Sequence, residues 1–174
     1  MANDYWETPW DEFEQLDRIF DFKVDICCKH STAKCMVHFT EAEDSLSFRW
    51  YTIPSLNNGD YVWCNPPYSN PMPWVESAID AQLNGVGVVM LLNNDPSVRW
   101  FAEALTTVSQ VIHIIAEQKP NGKYSTGRIA FINGNGEPEN TNNRGQVVFV
   151  FDPLNVGKRF TDYLTKSELR NIKL

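Results

Sequence analysis

VGVVMLL, residues 86 to 92, is a continuous apolar run rich in β-branched valine. Such a run predicts a strand that is buried on both faces, as in a parallel sheet covered by helices. The segments on either side, residues 73–84 and 96–108, repeat their apolar residues at helical spacing. Strands that alternate with helices predict an α/β fold, in which a mostly parallel sheet carries helices on both faces.

The alternation extends towards both ends of the chain. A helix is predicted over residues 9–20, with Thr8 as its N-cap and Pro9 at its first position. The other predicted strands are FKVDICC (22–28), YVWCN (61–65), VIHIIA (111–116), RIAFIN (128–133) and QVVFVFD (146–152). The GNG turn at residues 134–136 should join the last two strands into a C-terminal antiparallel hairpin, and a polar helix should follow Thr161.

Length and composition limit the class of protein. The 174 residues suit one domain over residues 1–174, and 43% apolar with 21% charged residues is typical of a globular chain. No apolar stretch approaches the ~20 residues that span a bilayer, so no membrane partner is predicted. The acidic, aromatic N-terminus is unlike a signal or transit peptide, and the four cysteines are unevenly spaced. These features predict reduced thiols and a cytoplasmic protein.

Charge gives a mixed indication about a nucleic-acid partner. The net charge of -7 is unlike the basic surface of most proteins that bind polyanions. However, a polar segment with few carboxylates contains four basic residues, Lys119, Lys123, Arg128 and Arg144. A local basic patch in this segment is therefore compatible with the negative net charge. This segment includes the longest connection without predicted structure, residues 116–127, and connections of that length are often functional.

The stretch WCNPPYSN, residues 63–70, places an amide, two prolines and an aromatic ring at the end of a predicted strand. Asn65 offers a side-chain carbonyl oxygen, and the Pro66 carbonyl is held in a fixed direction because Pro67 restricts it. Two acceptors that converge on one point suit an exocyclic NH2 group, and Tyr68 offers a flat face for stacking. This arrangement predicts a site for an extruded adenine whose amine is the nucleophile.

Ligands of open α/β sheets bind beyond the carboxyl ends of the strands. Asp25 lies near the end of the first predicted strand, and Asn65 ends another. If these strands are parallel, both residues lie at the same edge of the sheet, and one crevice could hold two ligands side by side. Alternatively, Asp25 could satisfy backbone groups at the strand end, as Asp commonly does.

The order of several short segments is similar to that of the short phage-type DNA adenine-N6 methyltransferases (Dam-like), which use S-adenosylmethionine. The matching segments lie within roughly residues 5–152 and are WETP, FDFKVDICCKH, TEAEDSL, NPPYSNPMPWVESA, GVVMLLN and GRIAF. The resemblance implies a Rossmann-like methyltransferase fold. It also implies methyl transfer from S-adenosylmethionine to adenine N6 in double-stranded DNA after base flipping, in the cytoplasm of a bacterial host if the protein is phage-encoded.

The resemblance further implies roles for individual residues. At the target base, Asn65 and the Pro66 carbonyl would accept hydrogen bonds from the N6 amine, and Tyr68 would stack on the base. The implied cofactor contacts are Trp6, Thr8 and Pro9 at the methionyl part, Asp25 and Cys27 after the first strand, and Glu41 and Asp44 at the adenosine half. The predicted DNA contacts are Ser69, beside the motif, and the basic residues Lys119, Lys123, Arg128 and Arg144, which would bind phosphates. The segment DICCKHS departs from the pattern of most methyltransferases, because it lacks a glycine-rich loop.

Other functions stay open on the sequence alone. The same chemistry could act on adenine in RNA, on cytosine N4 or on a protein glutamine, and the chain could be a catalytically silent DNA- or nucleotide-binding module. A zinc site is suggested by Cys28, His30, Cys35 and His38, but their spacing matches no common zinc pattern. No metal is predicted, because fixed hydrogen-bond acceptors and a sulfonium leaving group suffice for the transfer.

Overall fold

The computed structural model describes residues 6–139 and 141–171. The helices are α1 (Trp10–Phe20), α2 (Met72–Leu83), α3 (Arg99–Ala104) and α4 (Lys166–Leu169). The strands are β1 (Phe22–Asp25), β2 (Val37–His38), β3 (Tyr61–Cys64), β4 (Gly87–Asn93), β5 (Gln110–Ile115), β6 (Glu117–Gln118), β7 (Tyr124–Ser125), β8 (Gln146–Phe151) and β9 (Phe160–Thr165). The longest of the described helices has 12 residues, and none of them could cross a bilayer.

Seven strands form one sheet in the order β2-β1-β3-β4-β8-β5-β9, and β6 pairs with β7 in a separate hairpin. Within the large sheet only β8 runs antiparallel to its neighbours, β4 and β5. The other neighbouring strands are parallel. The predicted mostly parallel sheet is therefore confirmed, and β4, which contains most of the run VGVVMLL, lies at its centre.

Strand β4 carries core residues on both of its faces, because successive side chains of a strand point to opposite sides. Val88 and Met90 belong to a buried cluster that includes Val75 of α2. Val89 belongs to the other buried cluster, which includes Phe13 of α1. Helices therefore cover both faces of the sheet, and the predicted Rossmann-like α/β fold is confirmed.

The segment RIAFIN, residues 128–133, is not a strand of the large sheet, so the predicted hairpin between RIAFIN and QVVFVFD is wrong. The physical reason is that β8 already pairs with β4 on one side and with β5 on the other. A side chain satisfies part of the RIAFIN backbone instead, because the Ile129 N–H donates to Gln146 Oε1 at 2.9 Å. The GNG turn joins Ile132 to Pro138, which form a bridge.

Other predicted elements also have different bounds; of FKVDICC (22–28), for example, only Phe22–Asp25 forms a strand. Residues 116–127 contain the β6–β7 hairpin, and the chain leaves it through Gly127, where a Cβ atom would lie 2.4 Å from the Ile115 carbonyl oxygen. A glycine is therefore required at this crossing. Helix α3 covers only part of residues 96–108. After Thr161 the chain continues as β9, and only then forms the short helix α4.

Candidate active site

A cavity of about 820 Å³ lies beyond the carboxyl ends of β1 and β3. The parallel register of these strands pairs Asp25 with Trp63, so β1 ends beside the NPPY turn. Asp25 and Asn65 both line the cavity, which is the shared crevice expected from the sequence. The other predicted site residues that line it are Trp6, Thr8, Cys27, Glu41, Asp44, Pro67 and Ser69.

The side-chain amide of Asn65 is held in one orientation by two hydrogen bonds. Its Nδ2 donates to the Trp6 carbonyl oxygen at 3.0 Å, and its Oδ1 accepts from the Tyr68 hydroxyl at 3.1 Å. Because a backbone carbonyl can only accept, the Trp6 contact fixes which end of the amide is the donor. The acceptor oxygen of Asn65 therefore points to the side of Tyr68, and Pro66, between them, is buried.

Phe131 is a buried ring that supports both Trp6 and Tyr68. Trp6 stacks on it with ring centroids 5.5 Å apart, and Tyr68 meets it edge to face at 5.9 Å. Burial also raises the pKa of Tyr68 well above its ordinary value, so its hydroxyl stays a proton donor at neutral pH. Phe131 was not predicted as a site residue, although its segment, GRIAF, belongs to the resemblance.

Asp25 is 1% exposed and organises the glycine-free loop that follows β1. Its Oδ2 accepts from the Lys34 N–H at 2.9 Å, and its Oδ1 accepts from the Cys27 N–H at 3.3 Å. Burial raises the pKa of this carboxyl group, while the backbone hydrogen bonds lower it. These contacts give Asp25 the backbone-satisfying role considered above, and the loop that it holds is a wall of the cavity.

The four cysteines are free thiols in the structure. Burial raises the pKa of Cys27 to about 12, with a further contribution from the charge of Asp25. The Cys27 side chain is therefore a neutral thiol at physiological pH. It gives the cavity wall an apolar surface rather than a nucleophile.

Thr8 is not the N-cap of α1, so that prediction is wrong. Pro9 occupies the cap position without a side-chain cap, and its carbonyl accepts from the Phe13 N–H at 3.2 Å. The Thr8 Oγ1 is buried and has no hydrogen-bond partner among the residues that the structure describes. An unpaired buried hydroxyl costs about 1–3 kcal/mol, so a polar ligand atom would be stabilising there. Pro9 itself does not line the cavity.

The carboxylates of Glu41 and Asp44 lie on exposed residues at another part of the cavity wall. Their turn is attached to the end of β1 through Ser45, whose buried hydroxyl donates to the Ile26 carbonyl at 2.8 Å. Trp50 secures the same turn, because its Nε1 donates to the Ser45 carbonyl at 2.8 Å. Acceptor groups are thus available for ligand hydroxyls at this end of the cavity.

An ion pair that sequence reasoning missed also lines the cavity. The Lys34 Nζ lies 2.6 Å from Glu7 Oε1, and 4.1 Å from the centre of the Trp10 ring. The Lys34 side chain is 2% exposed and that of Glu7 is 20% exposed. The residues are far apart in sequence, and neither stands in a pattern that predicts a pair, so only the fold shows them together.

The basic residues predicted to contact DNA lie outside the cavity. Lys119 and Lys123 are exposed at the tip of the β6–β7 hairpin, where the Lys119 N–H donates to the Lys123 carbonyl at 2.8 Å. Arg128 is exposed beyond the hairpin. Arg144 lies 3.9 Å from Asp95, so part of its charge is already paired. The hairpin follows the carboxyl end of β5, which places its two lysines at the same edge of the sheet as the cavity.

The four residues that suggested a zinc site make other contacts. His30 Nδ1 and His38 Nε2 lie 2.9 Å apart. The Cys28 and Cys35 thiols donate to the backbone carbonyls of Phe39 and Phe22 respectively, both at 3.7 Å. Within residues 6–139 and 141–171, no three metal-ligating side chains come together.

Comparisons with known proteins extend over nearly the whole chain. The family model described as DNA N-6-adenine-methyltransferase (Dam) matches residues 1–173. A DNA N-6-adenine-methyltransferase of Haemophilus phage HP1 (strain HP1c1) is 32% identical over 172 residues, which are 96% of this chain and 90% of that protein. A DNA N-6-adenine-methyltransferase of Escherichia phage T1 is 30% identical over 163 residues, 90% of this chain and 66% of that protein.

Proposed function

The chain belongs to the DNA N-6-adenine-methyltransferase (Dam) family, and from this premise we propose that the carboxyl-edge cavity and the NPPY turn together form its active site. The reaction is transfer of a methyl group from S-adenosylmethionine to the N6 amine of adenine in DNA. The observation that carries the proposal is that Asn65, at the start of NPPY, lines the same cavity as the end of β1.

The cavity suits S-adenosylmethionine. Its volume of about 820 Å³ lies within the range of ordinary small-molecule sites, about 300–1,000 Å³. The Thr8 hydroxyl, which has no partner among the residues that the structure describes, suits a polar ligand atom, and the exposed carboxylates of Glu41 and Asp44 suit ribose hydroxyls. When bound, this cofactor supplies a methyl group activated by a sulfonium. The proposed contact residues are Trp6, Thr8, Asp25, Cys27, Glu41 and Asp44, while Pro9 acts through the start of α1 and not by direct contact.

The target adenine is proposed to leave the duplex, because its N6 amine is inaccessible in the stack. Asn65 Oδ1 has two lone pairs, of which the Tyr68 hydroxyl uses one, so the other can accept from the amine. The Pro66 carbonyl is the second acceptor, Pro67 fixes its direction, and the Tyr68 ring supports the base. These fixed acceptors position the amine and draw its lone pair out of conjugation with the ring. This scheme requires no metal ion.

Labelled methyl transfer tests this function directly. Duplex DNA, single-stranded DNA and RNA are each incubated with protein and tritiated S-adenosylmethionine, and the nucleosides are then separated. N6-methyladenine from duplex DNA is expected. N4-methylcytosine would show that the methyl acceptor is cytosine, and label in RNA would show that the substrate is RNA. Cofactor binding without any transfer would identify a catalytically silent binding module. We further propose that the protein acts as one domain, residues 1–174, in the cytoplasm of a bacterial host.

Lys119 and Lys123 are proposed as the main phosphate contacts, with Ser69, Arg128 and Arg144 as further DNA contacts. Replacing both lysines with Gln should raise the KM for duplex DNA. It should also reduce the slope of log KM against log salt concentration by the amount expected for the loss of about two phosphate contacts. Affinity for S-adenosylmethionine should not change, because both lysines lie outside the cavity. Steady-state kinetics over a salt series measures the slope.

Lys158 and Arg159 provide a matched control for this experiment. Both are exposed and directly precede β9, which runs parallel to β5, so they lie at the opposite edge of the sheet. Replacing both with Gln makes the same change in net charge. An equal loss of salt dependence in the two double variants would show a general charge effect and would contradict a hairpin contact.

Two substitutions of Tyr68 separate the contribution of its hydroxyl group from that of its aromatic ring. Tyr68→Phe removes one hydrogen bond to Asn65, so single-turnover methylation should slow about fivefold, equivalent to about 1 kcal/mol. Tyr68→Ala also removes the stacking face and should weaken productive DNA binding by about 1–3 kcal/mol. Because Tyr68 packs against both core clusters, thermal unfolding of each variant is the necessary check. Equal effects of the two substitutions would exclude stacking by the ring.

A further inference from the structure

We infer that Glu7 and Lys34 together recognise the charged amino-acid end of S-adenosylmethionine, Lys34 binding its carboxylate and Glu7 its ammonium. This inference rests on the proposed cofactor site. The cavity wall carries a buried cation and an anion in direct contact, 2.6 Å apart. An amino-acid group likewise carries one negative and one positive charge close together, so the two pairs are complementary.

The burial of the Lys34 ammonium is better explained by ligand binding than by a contribution to the stability of the fold. Removing an ammonium and a carboxylate from water costs several kcal/mol per ion, and buried ion pairs often fail to recover that cost. The Lys34 side chain is only 2% exposed, in contrast to typical surface pairs. Such a pair at a cavity wall has a functional explanation if a bound ligand forms additional charge-assisted hydrogen bonds with both of its members.

Hydrogen-bonding capacity remains on both partners. An ammonium group has three N–H donors, and the contacts of Lys34 Nζ within the described part of the chain are Glu7 Oε1 and the face of the Trp10 ring. Glu7 likewise uses one of its two carboxylate oxygens in this pair. The adjacent Thr8 Oγ1 is buried without a partner among residues 6–139 and 141–171. A ligand carboxylate can accept from both Lys34 and Thr8, while a ligand ammonium donates to Glu7.

Backbone hydrogen bonds hold each of the two residues in place independently. Glu7 forms a two-hydrogen-bond bridge with Ile132, at 3.0 Å and 2.9 Å. The Lys34 N–H donates to Asp25 Oδ2 at 2.9 Å. Because both positions are fixed before the ligand arrives, little conformational entropy is lost when it binds.

The acidic residues of the cavity make a nearby cation necessary for binding a ligand carboxylate. Asp25, Glu41 and Asp44 line the same cavity and would repel a ligand carboxylate. Lys29 also lines it but is an exposed residue, so its charge is screened by water. Lys34 is therefore the cation best placed to offset this repulsion in a water-poor environment.

Calorimetry with three ligands tests the inference without any measurement of activity. The ligands are S-adenosylmethionine, its decarboxylated form, and 5′-methylthioadenosine, which lacks the whole amino-acid end. Wild-type protein should prefer S-adenosylmethionine over the decarboxylated form by about 10- to 100-fold, the usual worth of a charge-assisted hydrogen bond. Wild-type protein that binds these two equally would overturn the inference, and this arm does not depend on the folding of any variant.

The substitutions should separate the two partners. Lys34→Met should weaken S-adenosylmethionine about 10- to 100-fold and leave the decarboxylated form within about twofold. Glu7→Gln should weaken both of these ligands, since both keep the ammonium, and leave 5′-methylthioadenosine unchanged. Lys29→Met, with the same loss of charge on the same wall, should preserve the wild-type order of affinities.

Two results would have different meanings. A uniform loss for all three ligands in Lys34→Met or Glu7→Gln would show that the pair only supports the fold, and would overturn the recognition role. Failure of wild-type protein to bind any of the three ligands would instead refute the proposed cofactor site itself. The double variant Glu7→Gln/Lys34→Met leaves no unpaired buried charge, so it should stay folded while losing the preference for the carboxylate.

Discussion

Replacing Asn65 with Ala is expected to abolish methyl transfer while S-adenosylmethionine binding persists. The substitution removes the acceptor that holds the target amine, but it removes none of the groups proposed to contact the cofactor. Loss of a positioned hydrogen-bonding group of this kind commonly lowers turnover by about 10²- to 10³-fold. Labelled transfer to duplex DNA measures turnover, and calorimetry on the same preparation measures cofactor affinity. Full activity in Asn65→Ala would refute the assignment of NPPY as the catalytic turn.

Asn65→Asp is a more specific test than Asn65→Ala, because Asp keeps the shape and the acceptor oxygen of Asn and removes the N–H donor. A carboxylate cannot donate to the Trp6 carbonyl, which lies 3.0 Å from the present Nδ2, so two acceptor oxygens would face each other. Activity at neutral pH should therefore be lost. Lowering the pH should restore part of it, because a protonated carboxyl group can again donate to Trp6. Wild-type activity in Asn65→Asp at neutral pH would show that the Trp6 carbonyl does not orient the side chain.

The second large effect is expected for Asp25→Ala. Its removal leaves the partly buried N–H groups of Cys27 and Lys34 without their acceptor, at a cost of up to about 1–3 kcal/mol each. The loop between these residues should then lose its fixed position, so S-adenosylmethionine affinity should fall by about tenfold or more, and the thermal midpoint should fall with it. Calorimetry and thermal unfolding report the two losses separately.

Asp25→Asn is the matched control for that prediction. The amide keeps one acceptor oxygen, so one of the two backbone N–H groups remains satisfied, while the negative charge is removed. An intermediate loss of affinity is expected if Asp25 acts by holding the loop. Unchanged cofactor affinity in Asp25→Ala would leave Asp25 with no role at the cofactor, whatever happens to stability.

Local sequence signals predicted the centre of the fold. The apolar run of β4 and the proline-terminated strand before Asn65 depend on their own composition, and both are confirmed. The crevice followed from a general property of parallel strands, which end at the same edge. The register of Asp25 with Trp63 then places that residue beside the NPPY turn.

Elements whose identity depends on distant partners were not predictable in this way. RIAFIN has the composition of a strand, yet both edges of β8 are occupied, and its Ile129 is bonded to a side chain. The Glu7–Lys34 pair forms only because β1 and its loop fold back against the N-terminal segment. The orientation of the Asn65 amide depends on the Trp6 carbonyl, which no spacing in the sequence indicates.

The antiparallel direction of β8 determines where sequence change can accumulate. Strand β5 ends at Ile115 on the catalytic edge, and β8 starts from that same edge at Gln146, because it runs in the opposite direction. The connection between them must leave and return at this edge, where the proposed DNA contacts Lys119 and Lys123 also lie. None of the strand pairs of the large sheet involves a described residue of this connection. Within this connection Ile129, Phe131 and Ile132 are bonded to or packed against the body of the protein, so sequence change should concentrate in the exposed tip of the β6–β7 hairpin.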